Sequence, residues 1–272
     1  MLDLHIHTTA SDGSESPKDM VRLAYLAGID TMAITDHDTM DGCLEAMEEG
    51  KKLGVHVIPG MEISAGYRDS YIHILGYGMN PSNPELLPII QYVRNDRKER
   101  NQKIIVSMEQ DGIVFSEEDL NKKTLGRPHF AKVLVDQGRA TDIQDAFDRF
   151  LGNNKKYSFP RNYISLAKSI EIIHACQGLV VVAHPYQYKF EDLTAFLEEM
   201  VSLGVDGVEV YYSGYSEEQI AFLKDFATRH QLLITGGSDF HGDCKPNILL
   251  GALDIPDSCK EAFMNQLEAR TK

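Results

Sequence analysis

The chain has 272 residues, 43% of them hydrophobic, and a formal charge of −14, enough to bury a large core and too apolar for a disordered chain. The acidic balance excludes a broad nucleic-acid-coating surface. No apolar run reaches the roughly 18 residues needed to cross a bilayer, and Met1 leads into a strand pattern with no basic-then-apolar leader, so a soluble cytoplasmic protein without a membrane partner is expected.

In chain order, residues 3–7 read as a strand, and a helix over 17–27 follows with Ser16 as N-cap and Pro17 at its first position. A strand over 31–35, a helix over 41–53 and strands over 55–62 and 71–78 come next. The link "SAGYRDS" at 64–70 is too short for a parallel crossover, so it predicts a hairpin. From Pro81 to Ser165 the alternation stops: a long helical pattern over 86–110, a capped start at Ser116 in "SEEDL", and helices near 128–136 and 142–151 require no strand. Alternation then resumes, with helices over 165–177, 191–203 and 216–230 and strands over 178–184, 205–211 and 232–238. This pattern predicts an α/β fold with a mostly parallel sheet, closed as a barrel or doubly wound, formed by 1–80 and 166–272 and interrupted by a helical insertion at 81–165. The insertion differs in charge as well, with 14 Lys and Arg against 12 Asp and Glu, while the remainder carries 13 against 29.

Polar residues collect at the strand ends. In "DLHIHTTASDG", His5 and His7 are two apart, so a strand sends both imidazoles to one face. Asp12 lies in the following loop; Asp36, His37 and Asp38 follow "TMAIT"; Glu62 follows "VHVIPGM"; His184 ends "GLVVVA"; Asp239 and His241 follow "LLITGGS"; His73 lies in the strand after the hairpin. The carboxyl ends of parallel strands share one face of an α/β domain, so these distant segments converge. Six histidines mixed with carboxylates and no thiolate suit Mn²⁺, Fe²⁺ or Zn²⁺, and more ligands than one ion accepts imply two or three. Each motif alone has an ordinary explanation, such as a capping turn for "TDHD"; their joint occurrence at strand ends does not. His56, His174 and His230 lie away from those ends and read as structural. Glu209, mid-strand in "VDGVEVYY", reads as a partner that orients a ligand or as a substrate contact, the former being favoured. Cys43, Cys176, Cys244 and Cys259 form no C-x-x-C pair and read as ordinary thiols of a reducing compartment.

Taken together, "DLHIHTTASDG", "AITDHDT", "PGMEIS", "IHILGY", "VVAHP" and "GSDFH" resemble the polymerase and histidinol phosphatase (PHP) family of metal-dependent phosphoesterases, in order from Asp3 to His241. With "GRPHFAKVLVDQG" and "AFDRFLG", the chain is similar to the subgroup acting on nucleotide 3′,5′-bisphosphates, nucleoside monophosphates and short 5′-phosphorylated RNA. The resemblance implies a distorted (β/α)7 barrel with a trinuclear Mn²⁺, Fe²⁺ or Zn²⁺ site. It also implies His5, His7, Asp12, His37, Glu62, His73, His184, Asp239 and His241 as ligands, with Asp36 orienting His37. No ligand position is replaced by an apolar residue, so a catalytically dead relative is not expected.

The chemistry expected is attack by metal-activated water, with no covalent phosphoenzyme. Asp12, His37, His184 and His241 are the candidate catalytic residues, and His184 or His241 serves as general acid if not committed to metal. In the insertion, Arg97 and Arg100 share a helical face with Asn101 beside it, and "GRPHF" sets Arg127 and His129 around Pro128 at a helix N-terminus, where an anion is favoured. A second phosphate held by Arg100, Arg127 and His129 would explain a preference for doubly phosphorylated nucleotides. The partner is therefore a small phosphorylated molecule, nucleotide or short RNA, while oligomeric state is not legible. The competing readings are a histidinol-phosphate-type phosphatase, a metal-dependent amidohydrolase, and a non-catalytic metal-stabilised interaction module.

Overall fold

The computed structural model describes residues 1–120 and 125–270. It divides into two compact units, Met1–Pro88 with Tyr163–Lys272, and Ile89–Asn162.

In the first unit, strands β1 (Leu2–Asp3), β2 (Thr31–Ile34), β3 (His56–Tyr67), β4 (Ser70–Tyr77), β6 (Leu179–Val182), β7 (Gly207–Tyr212) and β8 (Leu233–Gly237) follow one another in that order around the sheet. The amide of Leu4 donates to the Gly236 carbonyl (3.1 Å) and that of His7 to the Phe240 carbonyl (2.9 Å), which joins the two ends. The result is a nearly closed barrel with helices packed around it. Neighbours are parallel except at β4, which runs antiparallel to both β3 and β6. That reversal follows from the hairpin: β3 and β4 pair from Gly60↔Tyr77 to Tyr67↔Ser70, so only Arg68 and Asp69 turn the chain, Arg68 at φ 52°.

Helices α1 (Pro17–Leu26), α2 (Cys43–Leu53), α7 (Leu166–Ala175), α8 (Leu193–Ser202) and α9 (Glu217–Arg229) supply the crossovers. Ser16 caps α1 through the Asp19 amide at 3.1 Å, and Ser216 caps α9 with a reciprocal Gln219 contact. Three expectations need correction. The first strand is shorter than 3–7, since beyond Asp3 the chain continues only through an isolated Ile6↔Phe240 bridge. The stretch 81–165 does contain a strand, β5 (Ile164–Ser165), which pairs with β3 beside Ala65. The helix α10 (Asp257–Arg270) was not foreseen, although Cys259, Phe263 and Leu267 recur every four residues. These residues join a core cluster with Leu4, Ile58, Leu75, Tyr77 and Val181, in which Phe263 meets the Tyr77 ring edge-on at 5.2 Å. A helix that buries one stripe in this way stabilises the domain by roughly 1.5–3 kcal/mol for each large apolar side chain taken from water.

The second unit holds most of α3 (Leu87–Gln110), then α4 (Glu117–Leu120), α5 (Arg127–Asp136) and α6 (Ile143–Ala146), which runs into a π-type turn at Phe147–Leu151. Ile104, Met108, Phe130, Leu134, Leu151 and Tyr157 are among the buried residues of its own core. Asp96 accepts from buried Arg161 (2.9 Å) and from the Asn162 amide (2.9 Å), tying the end of the unit back to α3.

Candidate metal centre

The segment after β1 is held on both edges. Thr35 donates its amide to the Ile6 carbonyl (2.9 Å), and Asp239 donates to the His5 carbonyl (2.8 Å). Leu4 and Ile6 are fully buried in the core, and the alternate residues His5 and His7 face the cluster. Closure at this seam requires a glycine: a Cβ on Gly237 would stand 2.3 Å from the His5 Cβ and 2.4 Å from its amide nitrogen.

Glu62, 1% exposed, is the hub. Its Oε1 lies 2.8 Å from His73 Nδ1 and 2.8 Å from His184 Nε2. Its Oε2 lies 2.9 Å from His37 Nδ1, 3.2 Å from His7 Nε2 and 3.4 Å from His5 Nε2. Asp12 Oδ1 stands 3.3 Å from His241 Nε2 and 3.7 Å from His7 Nδ1, and Asp239 Oδ1 stands 3.3 Å from His7 Nε2. All nine ligand candidates thus meet. Their ligand atoms fall into four groups, each within 4.8 Å: His7, Asp12, His37 and His241; His5, Glu62 and His184; His5, His7 and Asp239; His37, Glu62 and His73.

Whether cations suit this donor set can be tested on its unsatisfied atoms. His5 Nε2, His7 Nε2, Asp12 Oδ1, His37 Nδ1, Glu62 Oε2 and His184 Nδ1 are buried and have no hydrogen-bond partner. Each such atom costs about 1–3 kcal/mol unless something satisfies it. His37 Nδ1 and Glu62 Oε2 approach to 2.9 Å without hydrogen-bond alignment. Nitrogen and carboxylate donors without thiolate fit Mn²⁺, Fe²⁺ or Zn²⁺. Backbone strain accumulates at the same place, with Asp38, His184 and Asp239 at φ 55°, 28° and 58°.

Electrostatics agree. Burial works against ionisation of Glu62, yet His73, His37 and His5 hold its carboxyl well below the usual range. Burial likewise disfavours a charged His7, but Asp239 and Glu62 raise its pKa to about 9. His73 is driven the other way, to about 4, by burial and by the neighbouring His37 and His184 against the pull of Glu62. Without cations, the acidic groups recruit protons onto some imidazoles and not others.

Around the ligand candidates stands a layer of fixing contacts. Glu209 takes His5 Nδ1 (2.9 Å) on one oxygen and the His184 amide (2.8 Å) on the other, behind two ligand candidates at once. Asp36 corrects an expectation: its carboxylate accepts from the Thr8 amide (2.8 Å), the Thr8 hydroxyl (2.7 Å) and the Ser11 hydroxyl (2.6 Å). It therefore organises the loop that carries Asp12, and Ser11 Oγ lies 3.4 Å from His7 Nδ1. The neighbour that Asp36 serves is the first histidine pair's loop, because Thr8 and Ser11 offer three donors there. Asp38 binds the Ser64 amide (2.9 Å), and the Tyr188 hydroxyl accepts the His73 amide (2.6 Å). Tyr212 and Lys245 both donate to Asp239 Oδ2, at 2.8 and 2.7 Å. Sequence reasoning missed Thr8, Ser11, Tyr188, Tyr212 and Lys245; the only signal was proximity, since Thr8 and Ser11 flank His7 and Asp12 and Lys245 follows His241 by four.

In the second unit, Arg100 donates to Asn101 Oδ1 (2.8 Å), and Asn101 Nδ2 donates to the Leu125 carbonyl (2.7 Å). Arg97 Nη1 lies 3.8 Å from where a Cβ on Gly126 would sit. Gly126 is the N-cap of α5, and its amide donates to His129 Nδ1 (3.1 Å). Arg127 therefore takes the first helical position and Pro128 the second, one later than expected. The Arg127 guanidinium lies over the Phe147 ring at 5.8 Å.

The PHP domain family model matches residues 3–235. A 5′-3′ exoribonuclease of Haemophilus influenzae is 33% identical over 94% of this chain and 95% of its own. A 3′,5′-nucleoside bisphosphate phosphatase of Chromobacterium violaceum is 30% identical over 99% of this chain and 97% of its own. The crystal structure of a protein assigned as a metal-dependent phosphoesterase from Bifidobacterium adolescentis superimposes with a TM-score of 0.88 at 33% identity, covering 97% of this chain and 96% of that one.

Proposed function

This chain belongs to the PHP family of metal-dependent phosphoesterases, and from that premise we propose that it hydrolyses phosphate esters of nucleotides: 3′,5′-nucleotide bisphosphates, AMP or short 5′-phosphorylated oligoribonucleotides. What carries the nucleotide reading is the coincidence of two features. One is a complete cluster of unsatisfied His, Asp and Glu donors; the other is a separate group of phosphate-binding side-chain types, Arg97, Arg100, Arg127 and His129, assembled with Asn101 around the start of α5. Phosphate-directed residues of both kinds in one chain suit phosphorylated substrates. The names of the H. influenzae and C. violaceum relatives support the same substrate class.

His5, His7, Asp12, His37, Glu62, His73, His184, Asp239 and His241 would hold two or three divalent ions. Bound there, such ions supply Lewis acidity towards phosphoryl oxygens and bring the pKa of water towards neutrality. Glu209 keeps His5 in one ring orientation by hydrogen bonding its second nitrogen. Asp36 holds the loop from which Asp12 projects. Asp12, His37, His184 and His241 would work closest to the reacting ester, and whichever of His184 or His241 is not committed to a metal would deliver the proton that the leaving alkoxide needs. Arg100, Arg127 and His129 recognise a further phosphate, Arg through its planar fork and His129 at a helix N-terminus.

The test is one panel. Metal-stripped protein reloaded with Mn²⁺ is assayed on adenosine 3′,5′-bisphosphate, AMP, histidinol phosphate, an acetylated amine and 5′-phosphorylated oligoribonucleotides. Phosphate release from the nucleotide substrates is expected, with Arg127→Ala raising KM for the bisphosphate more than for AMP. Turnover of histidinol phosphate alone, or of the acetylated amine alone, overturns the nucleotide assignment; unchanged kinetics for Arg127→Ala remove that residue from the site.

A further inference from the structure

Asp239 is engaged through both of its oxygens, and the two do different things. Oδ1 faces three imidazoles, His7 Nε2 at 3.3 Å, His241 Nδ1 at 3.4 Å and His5 Nε2 at 3.5 Å. Oδ2 receives two donors from elsewhere, the Tyr212 hydroxyl at 2.8 Å and the Lys245 ammonium at 2.7 Å. We propose that Lys245 is a positioning residue of the metal centre: together with Tyr212 it occupies Oδ2 of Asp239, so that the carboxylate presents Oδ1 alone to a cation.

A carboxylate free to rotate can bind one ion through both oxygens or bridge two, so a cluster that needs a defined geometry must restrict it. A hydroxyl alone is a neutral donor. An ammonium makes a charge-assisted bond, about twice as strong, and keeps Oδ2 engaged against the pull of a divalent ion. An ordinary surface ion pair contributes little, but here the acceptor side chain is 5% exposed while the lysine is 40% exposed, so the pair has one buried partner. The backbone of Lys245 is fixed too, since its amide donates to the Gly242 carbonyl (3.1 Å) and the Asp243 amide in the same turn donates to Ser14 Oγ (2.9 Å). Asp239 itself sits at φ 58°, a conformation that persists only where several contacts impose it. Its amide to His5 and its carbonyl to His241 Nδ1 (2.8 Å) are two of those contacts, and the Oδ2 pair completes them.

The inference rests on the metal-centre reading but not on any substrate, so its test reads metal binding directly. Protein stripped with chelator is titrated with Co²⁺ against a chromophoric chelator, and the visible d–d spectrum of the Co²⁺ form is recorded, for the wild type, Lys245→Met, Lys245→Arg, Tyr212→Phe and the Lys245→Met/Tyr212→Phe double variant. Lys245→Met is expected to weaken one Co²⁺ step by about 10-fold and to alter the d–d bands, and Lys245→Arg is expected to restore both. Tyr212→Phe should have a smaller effect of the same kind, and the double variant should lose less than the two single losses combined, because both act through one oxygen. If Lys245→Met fails to fold, the Tyr212→Phe and Lys245→Arg spectra decide, unaltered Tyr212→Phe bands and affinity counting against the role. Unchanged affinity and bands in Lys245→Met overturn it, as does tighter Co²⁺ binding, which would make the lysine a repelling charge. A wild type that takes up no Co²⁺ overturns the metal centre itself, a separate failure.

Discussion

Replacing Glu62 by Gln is the sharpest perturbation of the centre. Five imidazole nitrogens lie between 2.8 and 3.4 Å from its two oxygens, and the side chain is 1% exposed. Gln keeps the volume and removes the charge, and its amide nitrogen would turn a donor towards ring nitrogens or towards a cation. In metal-stripped protein the substitution breaks one side of a buried ionic cluster, for which about 3–5 kcal/mol is expected; loss of protons from His5 and His7, whose pKa values Glu62 helps to raise, limits the cost to that range. In metal-loaded protein it removes a ligand candidate shared by two of the four donor groups, so the loss of affinity should exceed the 10- to 100-fold typical of changes one layer further out. Chelator-stripped wild type and Glu62→Gln are compared by urea unfolding, and metal content is measured after dialysis against Mn²⁺. A variant within about 1 kcal/mol of the wild type when stripped, carrying the wild-type complement of Mn²⁺, would refute the central place given to Glu62.

Gly237→Ala should open the barrel seam: a Cβ 2.3 Å from the His5 Cβ and 2.4 Å from its nitrogen must displace backbone. A loss at or above the 1–3 kcal/mol typical of overpacking is expected, together with fewer bound ions, and thermal melting with metal analysis checks both. Metal uptake should release protons, because His7, with its pKa raised to about 9 in the metal-free cluster, must be neutral to bind. Apparent Mn²⁺ affinity should therefore rise with pH from 7 towards 9 and fall below it, and uptake titrations in weakly buffered indicator dye measure the release; the same release and affinity across that interval would count against a charged His7.

The legible part of this protein lay in what is local along the chain. Strand periodicity put His5 and His7 on one side, and the ends of strands collected His37, His184 and Asp239, because both features depend only on neighbours a few residues apart; Glu62, expected to end a strand over 55–62, instead lies inside β3, which runs on to Tyr67. The short link at 64–70 was enough to foresee the hairpin, although not that β4 would then run against β6 as well. The helix α10 had its four-residue spacing in plain view; the alternation it stands outside of is what hid it.

What only the tertiary structure decided is how these residues serve one another. Asp36 binds Thr8 and Ser11 rather than orienting His37, Glu209 stands behind both His5 and His184, and Lys245 and Tyr212 divide the oxygens of Asp239. The chain by itself determined the kinds of donors, the strand-end positions of His37, His184 and Asp239, and hence the family and its chemistry. Which nitrogen faces which oxygen follows from closing β8 against the segment after β1, a contact between residues more than 200 apart that requires a glycine at 237. Distances of a few tenths of an ångström between such partners depend on packing across the whole barrel, and no period or spacing along the chain encodes them.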